Sequence, residues 1–327
     1  MTKNYITNPD PSLEAEAQAF DERATERFSN GFLPDLQCQT RNEYFYKSFW
    51  RDSTFTDLYV GQMSRQYIEY IRSLKLKSPR VLDFGCGQGY FSLELAREGC
   101  EVVGVDISSK SIAIAESYHQ SIAQEQFHPS RLKYYCGDVN ILPDLGDFDA
   151  VLTSGVLHHL EDLNDALNIM GKSLRRRNGI LFGHEPQHKY FTKNDATIVA
   201  TIRQLLSLCG NWYEDPKVVE DDIGLIDYSN QIQQEYLFER DINEKAQSPH
   251  DLSHDRDQII NQLGKHFDKI DIRASSAFIY RMLGGLRANK IKKEHELAKF
   301  LATVDKVFVS QNILNANYFF FIASNQR

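Results

Sequence analysis

One short segment constrains the fold of this chain more than any other, the run 81–89 with the sequence VLDFGCGQG. An apolar run ends there in an acid, three glycines follow at alternate positions, and an amphipathic stretch begins at Tyr90. The pattern predicts a buried strand, a tight loop and the start of a helix. Because glycine has no Cβ, such a loop lets a ligand approach the backbone beside the free N–H groups of a helix N-terminus.

The spacing of the glycines distinguishes two kinds of cofactor loop. The dinucleotide fingerprint reads G-x-G-x-x-G, whereas this chain has G-x-G-x-G, with Asp83 two residues before Gly85. An acid at that point repels a pyrophosphate and suits a cationic group, such as the amino group of an amino acid. The segment resembles the first motif of class I S-adenosylmethionine-dependent methyltransferases. The resemblance implies S-adenosylmethionine as cofactor, bound by Asp83 and by the loop residues Gly85, Cys86, Gly87 and Gly89.

Two later segments agree with this resemblance in order and spacing. Asp106 closes a β-branched run about 20 residues beyond the loop, where an acid can accept hydrogen bonds from ribose hydroxyls, and Ile107 after it can pack on the adenine. The third predicted strand ends in the sequence GDV. In the family, a Gly-Asp pair at this place contacts the adenine amino group, which implies Asp138 as a cofactor residue with Val139 beside it.

The fourth predicted strand runs into the segment 153–160, with the sequence TSGVLHHL. It resembles the family motif that lines the methionine part of the cofactor and faces the substrate, which implies Ser154 as a cofactor residue. His158 and His159 follow, and one of two adjacent side chains can point into the site while the other packs away from it. A histidine suits proton transfer because its unperturbed pKa lies near neutrality. Both are therefore candidate general bases, with a packing role as the alternative.

The segment 184–188, HEPQH, matches the H-E-x-x-H pattern of zinc proteases. That chemistry needs both histidines on one face of a helix, whereas Pro186 disfavours a helical Glu185 and the first histidine closes the fifth predicted strand. No metal site is therefore predicted. The carboxyl end of that strand opens onto the active site of a doubly wound sheet. His184 is thus a candidate base or a wall residue, and Glu185 a candidate substrate contact.

The order of the predicted elements indicates an α/β protein, with a doubly wound, mostly parallel, seven-stranded Rossmann-like sheet and helical insertions. The expected division is an N-terminal lid, a cofactor-binding core, a cap insertion for the substrate, and C-terminal strands with a helical insertion. The respective bounds are 1–78, 79–185, 186–265 and 266–327. Aromatic residues of the lid are candidates for lining the substrate site, with anchoring of the N-terminal helices as the alternative. They are Tyr44, Tyr46 and Trp50.

Composition limits the partners and the location. The net charge of −8 disfavours nucleic acid or another phosphate-rich partner. No stretch approaches about 18 uninterrupted apolar residues, so no membrane span is predicted. The five cysteines form no C-x-x-C pair, and the N-terminus has no apolar signal segment. Both features favour a cytoplasmic protein with reduced thiols.

The resemblance implies direct transfer of a methyl group to an acceptor atom. Oxygen or nitrogen is favoured over carbon as that atom. The large insertions favour a small or medium-sized metabolite as the acceptor, since they can enclose it. Two alternatives stay open at this point. One is an NAD(P)-dependent oxidoreductase on a similar sheet, against which Asp83 and the glycine spacing count. The other is a non-catalytic protein that binds S-adenosylmethionine, which the glycine and acid pattern alone does not exclude.

Overall fold

Seven strands form one sheet at the centre of the computed structural model, which describes residues 11–126, 129–175, 179–217, 219, 221–238, 248–251 and 253–325. The strands are β1 Arg80–Phe84, β2 Glu101–Asp106, β3 Leu132–Cys136, β4 Ala150–Ser154, β5 Ile180–Pro186, β6 Lys269–Ala274 and β7 Tyr318–Ser324. They lie in the order β3-β2-β1-β4-β5-β7-β6. The predicted fold class, a mostly parallel seven-stranded sheet with helical insertions, is confirmed.

The order in which successive strands are added to the sheet reverses at β1, since β2 and β3 lie on one side of it and β4 and β5 on the other. β1 pairs in parallel with β2 on one side and β4 on the other, so that Phe84 lies opposite both Val105 and Thr153. β7 is antiparallel to both of its neighbours, β5 and β6. In a doubly wound sheet, ligands bind in the crevice at such a reversal, outside the carboxyl ends of the strands. The glycine loop leaves the sheet at this position, directly after β1.

Helices cover both faces of the sheet and form a separate layer beyond it. Their bounds are α1 Pro11–Ser29, α2 Ser53–Thr56, α3 Gln62–Ser73, α4 Tyr90–Arg97, α5 Ser109–Gln126, α6 Leu142–Leu145, α7 Leu163–Ser173, α8 Lys193–Leu208, α9 Asp222–Phe238, α10 Arg256–His266, α11 Ile279–Met282 and α12 Ile291–Ser310. Among the described residues, no helix has the length and apolar character needed to cross a membrane.

Three buried apolar clusters hold these layers together. One lies between the sheet and α3 to α5 and includes Tyr67, Phe91 and Ile112. A second lies on the opposite face under α7 and α10 and includes Leu167 and Leu263. Full burial of one such side chain stabilises the fold by about 1.5–3 kcal/mol relative to exposure. The two clusters therefore fix both helical layers on the sheet, and with them the loops at its carboxyl edge.

The third cluster lies outside the sheet and joins helices of the two late insertions. It includes Val199 of α8, Ile232 of α9, Met282 of α11 and Leu301 of α12. The predicted cap segment 186–265 supplies α8 and α9 to this layer, whereas α10 from the same segment packs against α7 beside the sheet. Residues 1–10 of the predicted lid and 239–247 of the predicted cap lie outside the described residues.

Candidate functional site

The loop after β1 holds its glycines in backbone conformations that other residues rarely adopt. Gly85 has a φ of 73° and Gly87 a φ of 52°, both in the left-handed region. A Cβ on Gly85 would collide with the side chain of Val156, whereas a Cβ on Gly87 would meet nothing within 4 Å. Glycine is therefore required for packing at the first position, and at the second it leaves open space beside the backbone.

A cavity of about 880 Å³, called the first cavity below, opens beside this loop at the carboxyl ends of β1, β2 and β4. Its volume lies in the range of small-molecule sites, about 300–1,000 Å³. Seven of the predicted cofactor residues line it. They are Gly85, Gly87, Asp106, Ile107, Asp138, Val139 and Ser154.

Asp106 supplies a carboxylate to the wall of this cavity. Its Oδ2 accepts a hydrogen bond from the Gly87 N–H, and its Oδ1 accepts one from the Ser108 N–H, each at 2.8 Å. Burial raises the pKa of Asp106 to about 6, although the two N–H groups lower it. The group thus fixes the glycine loop to the end of β2 and can accept further hydrogen bonds from hydroxyl groups of a ligand.

The other three predicted cofactor residues, Asp83 before the loop and Cys86 and Gly89 within it, are not among the residues that line the cavity. Asp83 is only 2% exposed, and its Oδ2 accepts a hydrogen bond from Ser92 Oγ at 2.5 Å. Burial raises the pKa of Asp83 to about 7. Cys86 is also buried, and a Cβ on Gly89 would collide with the ring of Tyr134. In this conformation the three residues support the structure of the loop.

The N-terminal helix α1 covers the first cavity. Seven of its residues line the cavity wall: Ser12, Leu13, Glu16, Phe20, Arg23, Ala24 and Arg27. Two sets of hydrogen bonds attach the helix to the cofactor side of the sheet. Gln88 Nε2 donates to the carbonyl of Ala24 at 3.0 Å, and Asp21 accepts from Ser108 Oγ at 2.6 Å and from the Lys110 N–H at 3.0 Å. Helix α1, which belongs to the predicted lid, is therefore held to the glycine loop and to the start of α5.

The aromatic residues that the sequence suggested for the lid lie elsewhere. Tyr44 is 47% exposed, and the ring of Tyr46 packs 3.2 Å from the guanidinium of Arg287. Trp50 is buried against Phe32, with ring centroids 4.8 Å apart. Since none of the three lines the first cavity or the second one described below, the packing alternative describes their positions better.

His159 is the predicted catalytic histidine that lines the first cavity. Its Nδ1 lies 3.0 Å from Glu16 Oε1 and 3.2 Å from Ser248 Oγ. Burial lowers the pKa of His159, and the nearby His158 lowers it further, against the opposing effect of Glu16. For Glu16, burial acts to raise the pKa, but hydrogen bonds from His159, Ser248 and the His250 N–H bring it below the usual value. A neutral imidazole thus faces an ionised carboxylate.

His158 points away from the cavity into a buried contact with Glu185. The Glu185 side chain is 0% exposed, and its Oε2 lies 2.6 Å from His158 Nδ1. Its Oε1 accepts hydrogen bonds from the N–H groups of Val156 and Leu157 at 3.0 and 2.9 Å. Burial acts to raise the pKa of Glu185, but His158 and the two N–H groups lower it overall. Glu185, a candidate substrate contact by sequence, is therefore placed in the wall, where it holds the loop after β4.

His184 lies beside Ser154 in the register of β4 and β5. Its ring stacks on Tyr318 with centroids 4.9 Å apart, and its Nε2 lies 3.1 Å from Ser275 Oγ. Neither of the two cavities has His184 among its lining residues. The H-E-x-x-H match does not form a helical metal site, because Pro186 still belongs to β5 and His188 lies in a short turn after it.

One group of side chains that could hold a metal ion occurs among the described residues. His158, His159 and Asp251 each offer one ligand atom, and these atoms lie within 4.8 Å of one another. The sequence pattern missed this group because Asp251 belongs to the segment before α10, far along the chain from the two histidines.

A second cavity of about 980 Å³ lies under the insertions that follow β5 and β6. Arg27 lines both cavities. His184 connects their walls, since it pairs with Ser154 of the first cavity and stacks on Tyr318 of the second. Seven aromatic side chains line the second cavity: Phe49, Tyr59, Trp212, Tyr213, Tyr228, Tyr280 and Tyr318.

This fold and this cavity define a class of protein, and comparison with known families agrees. Residues 75–241, half of the chain, match the family model described as a methyltransferase domain, and the chain belongs to this family. The family description indicates methyl transfer, and the motifs of the glycine loop and of the strand ends imply S-adenosylmethionine as the cofactor. The first cavity fits this cofactor in volume, in the open space at Gly87 and in the carboxylate of Asp106. The family assignment sets aside the nicotinamide-dependent oxidoreductase.

Curated relatives match a shorter part of the chain. The ubiquinone biosynthesis O-methyltransferase of Pelagibacter ubique (strain HTCC1062) is 31% identical over 107 residues, which are 33% of this chain and 42% of that protein. The enzyme of the same name from Azorhizobium caulinodans is 38% identical over 112 residues, 34% of this chain and 42% of that protein. The chain thus spans less than half the length of these relatives. Among solved structures, the [4+2]-cyclase SpnF has the same fold at 16% identity, with a TM-score of 0.52 over 97% of this chain and 98% of that one.

Proposed function

We propose that this methyltransferase acts on an oxygen or nitrogen, with carbon less favoured, of a small or medium-sized metabolite. The observation that carries the proposal is the position of α1, which covers the first cavity and brings Glu16 onto His159. A covered cavity suits an acceptor that can be enclosed rather than an extended macromolecule. The curated relatives are named for O-methylation in ubiquinone biosynthesis, which supports oxygen as the first acceptor atom to test.

We assign cofactor binding to the seven predicted residues that line the first cavity. When bound, S-adenosylmethionine supplies a methyl group already activated by its sulfonium charge. Asp106 accepts hydrogen bonds from the ribose hydroxyls, and Asp138 with Val139 contacts the adenine. Ser154, whose Oγ lies 2.7 Å from the hydroxyl of Tyr67, borders the methionine end. The role of these residues is to bind and orient, since precise positioning of two reactants supplies much of the rate in such transfers.

We place the acceptor in the part of the first cavity between α1 and His159. Because its pKa is lowered, His159 is neutral near pH 7, and its ring offers a lone pair to a proton or to another ligand. The carboxylate of Glu16 beside Nδ1 favours a proton on that nitrogen and the lone pair on Nε2. Of the three histidines predicted to be catalytic, His159 is therefore the one that we assign to the acceptor.

The second cavity offers space for the rest of a larger acceptor. Its walls come largely from the predicted cap segment, including Trp212 and Tyr228, and from Tyr280 and Tyr318 near the later strands. Aromatic side chains bury large apolar area. We propose that a flat or apolar part of the acceptor lies there, with the reacting atom toward Ser154.

Calorimetric titration of the purified protein with S-adenosylhomocysteine, with NADH as control, tests cofactor binding. We expect micromolar binding of the first compound and none of the second. Methyl-labelled cofactor is then offered with matched phenols, primary amines and a protein extract. Label transfer to a phenol or an amine is expected. Binding of NADH alone would refute the cofactor assignment, and label transfer confined to protein would refute the small acceptor.

A further inference from the structure

We propose that His158, His159 and Asp251 form a binding site for a divalent transition-metal ion beside the first cavity. Their ligand atoms lie within 4.8 Å of one another. Zinc–nitrogen and zinc–oxygen bonds of about 2.0–2.2 Å place two ligands of one ion at most about 4 Å apart. The three groups are therefore slightly wider apart than the ligands of a bound ion, so binding would draw them together, with the half-buried Asp251 the least enclosed of the three.

The surroundings of both histidines match those of metal-bound imidazoles. His158 Nδ1 lies 2.6 Å from a carboxylate oxygen of Glu185, and His159 Nδ1 lies 3.0 Å from one of Glu16. In metal sites, the ring nitrogen that does not coordinate usually donates to a carboxylate, which fixes the tautomer and the orientation of the ring. The arrangement assigns coordination to Nε2 of both rings. Their ring centroids are 4.1 Å apart, so the two rings lie side by side.

The charges around the two rings also favour a cation. Three carboxylates surround them, those of Glu16, Glu185 and Asp251, and the first two are almost completely buried. Concentrated negative charge away from water is unfavourable unless it is paired or coordinates a metal. Hydrogen bonds already compensate Glu16 and Glu185, and their remaining negative charge adds to the attraction that Asp251 exerts on a divalent cation. Its ligand set of two imidazoles and one carboxylate suits Zn²⁺, Fe²⁺, Co²⁺ or Ni²⁺ better than Mg²⁺ or Ca²⁺.

The position of the site suggests what the ion does. His159 lines the first cavity, so coordination positions not taken by protein face that cavity. Three protein ligands with an open position are typical of catalytic rather than structural zinc sites. An acceptor with a hydroxyl oxygen can occupy the open position, which narrows the acceptor class to oxygen donors. This use of the ion rests on the proposed function, whereas the metal site itself does not.

Metal binding is measured directly on the full chain after removal of bound metal with a chelator. Calorimetry with Zn²⁺ alone is combined with visible absorption on addition of Co²⁺ alone, whose d–d bands report coordination number and ligands. We expect one ion per chain. Asp251→Asn removes a ligand and should weaken binding at least about tenfold. Glu16→Gln removes the carboxylate behind His159 and should weaken it by about 10–100-fold, as for other groups behind metal ligands.

His250→Gln provides the matched control, because His250 belongs to the same segment as Asp251 but lies outside the group of three. It should leave metal affinity unchanged. Titration of every variant with S-adenosylhomocysteine shows whether the protein is folded. It also distinguishes a failure of the metal-site proposal from a failure of the proposed function. No saturable metal binding, or equal losses in Asp251→Asn and His250→Gln, would overturn the metal site. Either result with intact S-adenosylhomocysteine binding would leave the methyltransferase proposal standing.

Discussion

Asp106 should make cofactor binding depend on pH in the slightly acidic range. Its carboxylate lines the first cavity, and burial raises its pKa to about 6, although the Ser108 and Gly87 N–H groups lower it. A protonated carboxyl loses part of its capacity to accept hydrogen bonds from the ribose, so the dissociation constant should rise as the pH falls through 6. If only the ionised form binds, affinity drops about tenfold at pH 5, which equals about 1.4 kcal/mol.

The Asp106→Asn variant tests the same group by substitution. An amide has one oxygen, so either the Gly87 or the Ser108 N–H, each now 2.8 Å from a carboxylate oxygen, would face an NH₂ group instead. The amide also offers the ribose hydroxyls one oxygen instead of two, and a hydrogen bond to a charged group contributes about 1.5–3 kcal/mol. We therefore expect affinity for S-adenosylhomocysteine to fall by about 10–150-fold near neutral pH. The variant should also lose the pH dependence between pH 5 and 7.

Calorimetric titration with S-adenosylhomocysteine from about pH 5 to about pH 8 measures both effects. Asp83→Asn is the matched control, because the pKa of Asp83 is also raised, to about 7, but its carboxylate does not line the cavity. This control should keep the pH dependence of the wild type. Constant wild-type affinity across this range, or wild-type affinity in Asp106→Asn, would refute the reasoning.

Other substitutions test the loop and the wall of the cavity. Gly87→Val should weaken S-adenosylhomocysteine binding more than about 100-fold in calorimetry. Gly99→Val is the control, because Gly99 also has a positive φ, 92°, and open space at the Cβ position, and it should keep the affinity of the wild type. Equal losses in the two variants would indicate an effect of backbone strain alone. Glu185→Gln should lower the free energy of unfolding in urea by about 1.5–3 kcal/mol, since it weakens hydrogen bonds to a buried carboxylate. Because folding lowers the pKa of Glu185, its contribution to the free energy of unfolding is fully present above its ordinary pKa of 4.5 and is lost as the pH falls through the folded-state pKa. An unchanged urea midpoint in Glu185→Gln would contradict this role. His184→Ala should retain cofactor affinity, and unchanged turnover would assign His184 to the wall.

The cofactor side of the site could be predicted because its signals are local. Each of these signals is contained within a few residues, as an apolar run that ends in glycine or in an acid. They are the glycine loop, the acid at the end of β2 and the strand after α7. Parallel strands bring their carboxyl ends to one edge of the sheet, so residues such as Gly87, Asp106 and Asp138 line one cavity although they are far apart in the chain. Sequence did not distinguish the residues that face the cavity from Asp83 and Cys86 behind it, because that depends on the turn of the loop.

The acceptor side could not be predicted in the same way. Glu16 bonds to Ser248 and to the His250 N–H, partners separated from it by 232 and 234 residues. Nothing in a one-dimensional pattern links such segments. The spacing of Leu13, Phe20 and Ala24 on α1 carries a helical period that marks the face of this helix toward the cavity, whereas the aromatic run around Tyr44 packs elsewhere.

By itself, the sequence determined the class of this protein: a doubly wound sheet, a glycine loop after the first strand and acids at strand ends where the motifs predict cofactor binding. These depend on hydrophobic periodicity and on backbone geometry, which neighbouring residues encode. Only the tertiary structure decided which histidine faces the cavity, that Glu185 belongs to the wall, and that Glu16 and Asp251 join His159. Those assignments depend on the packing of α1 and of the segment before α10 over the sheet, since side chains distant in the chain acquire their partners only when these layers come together.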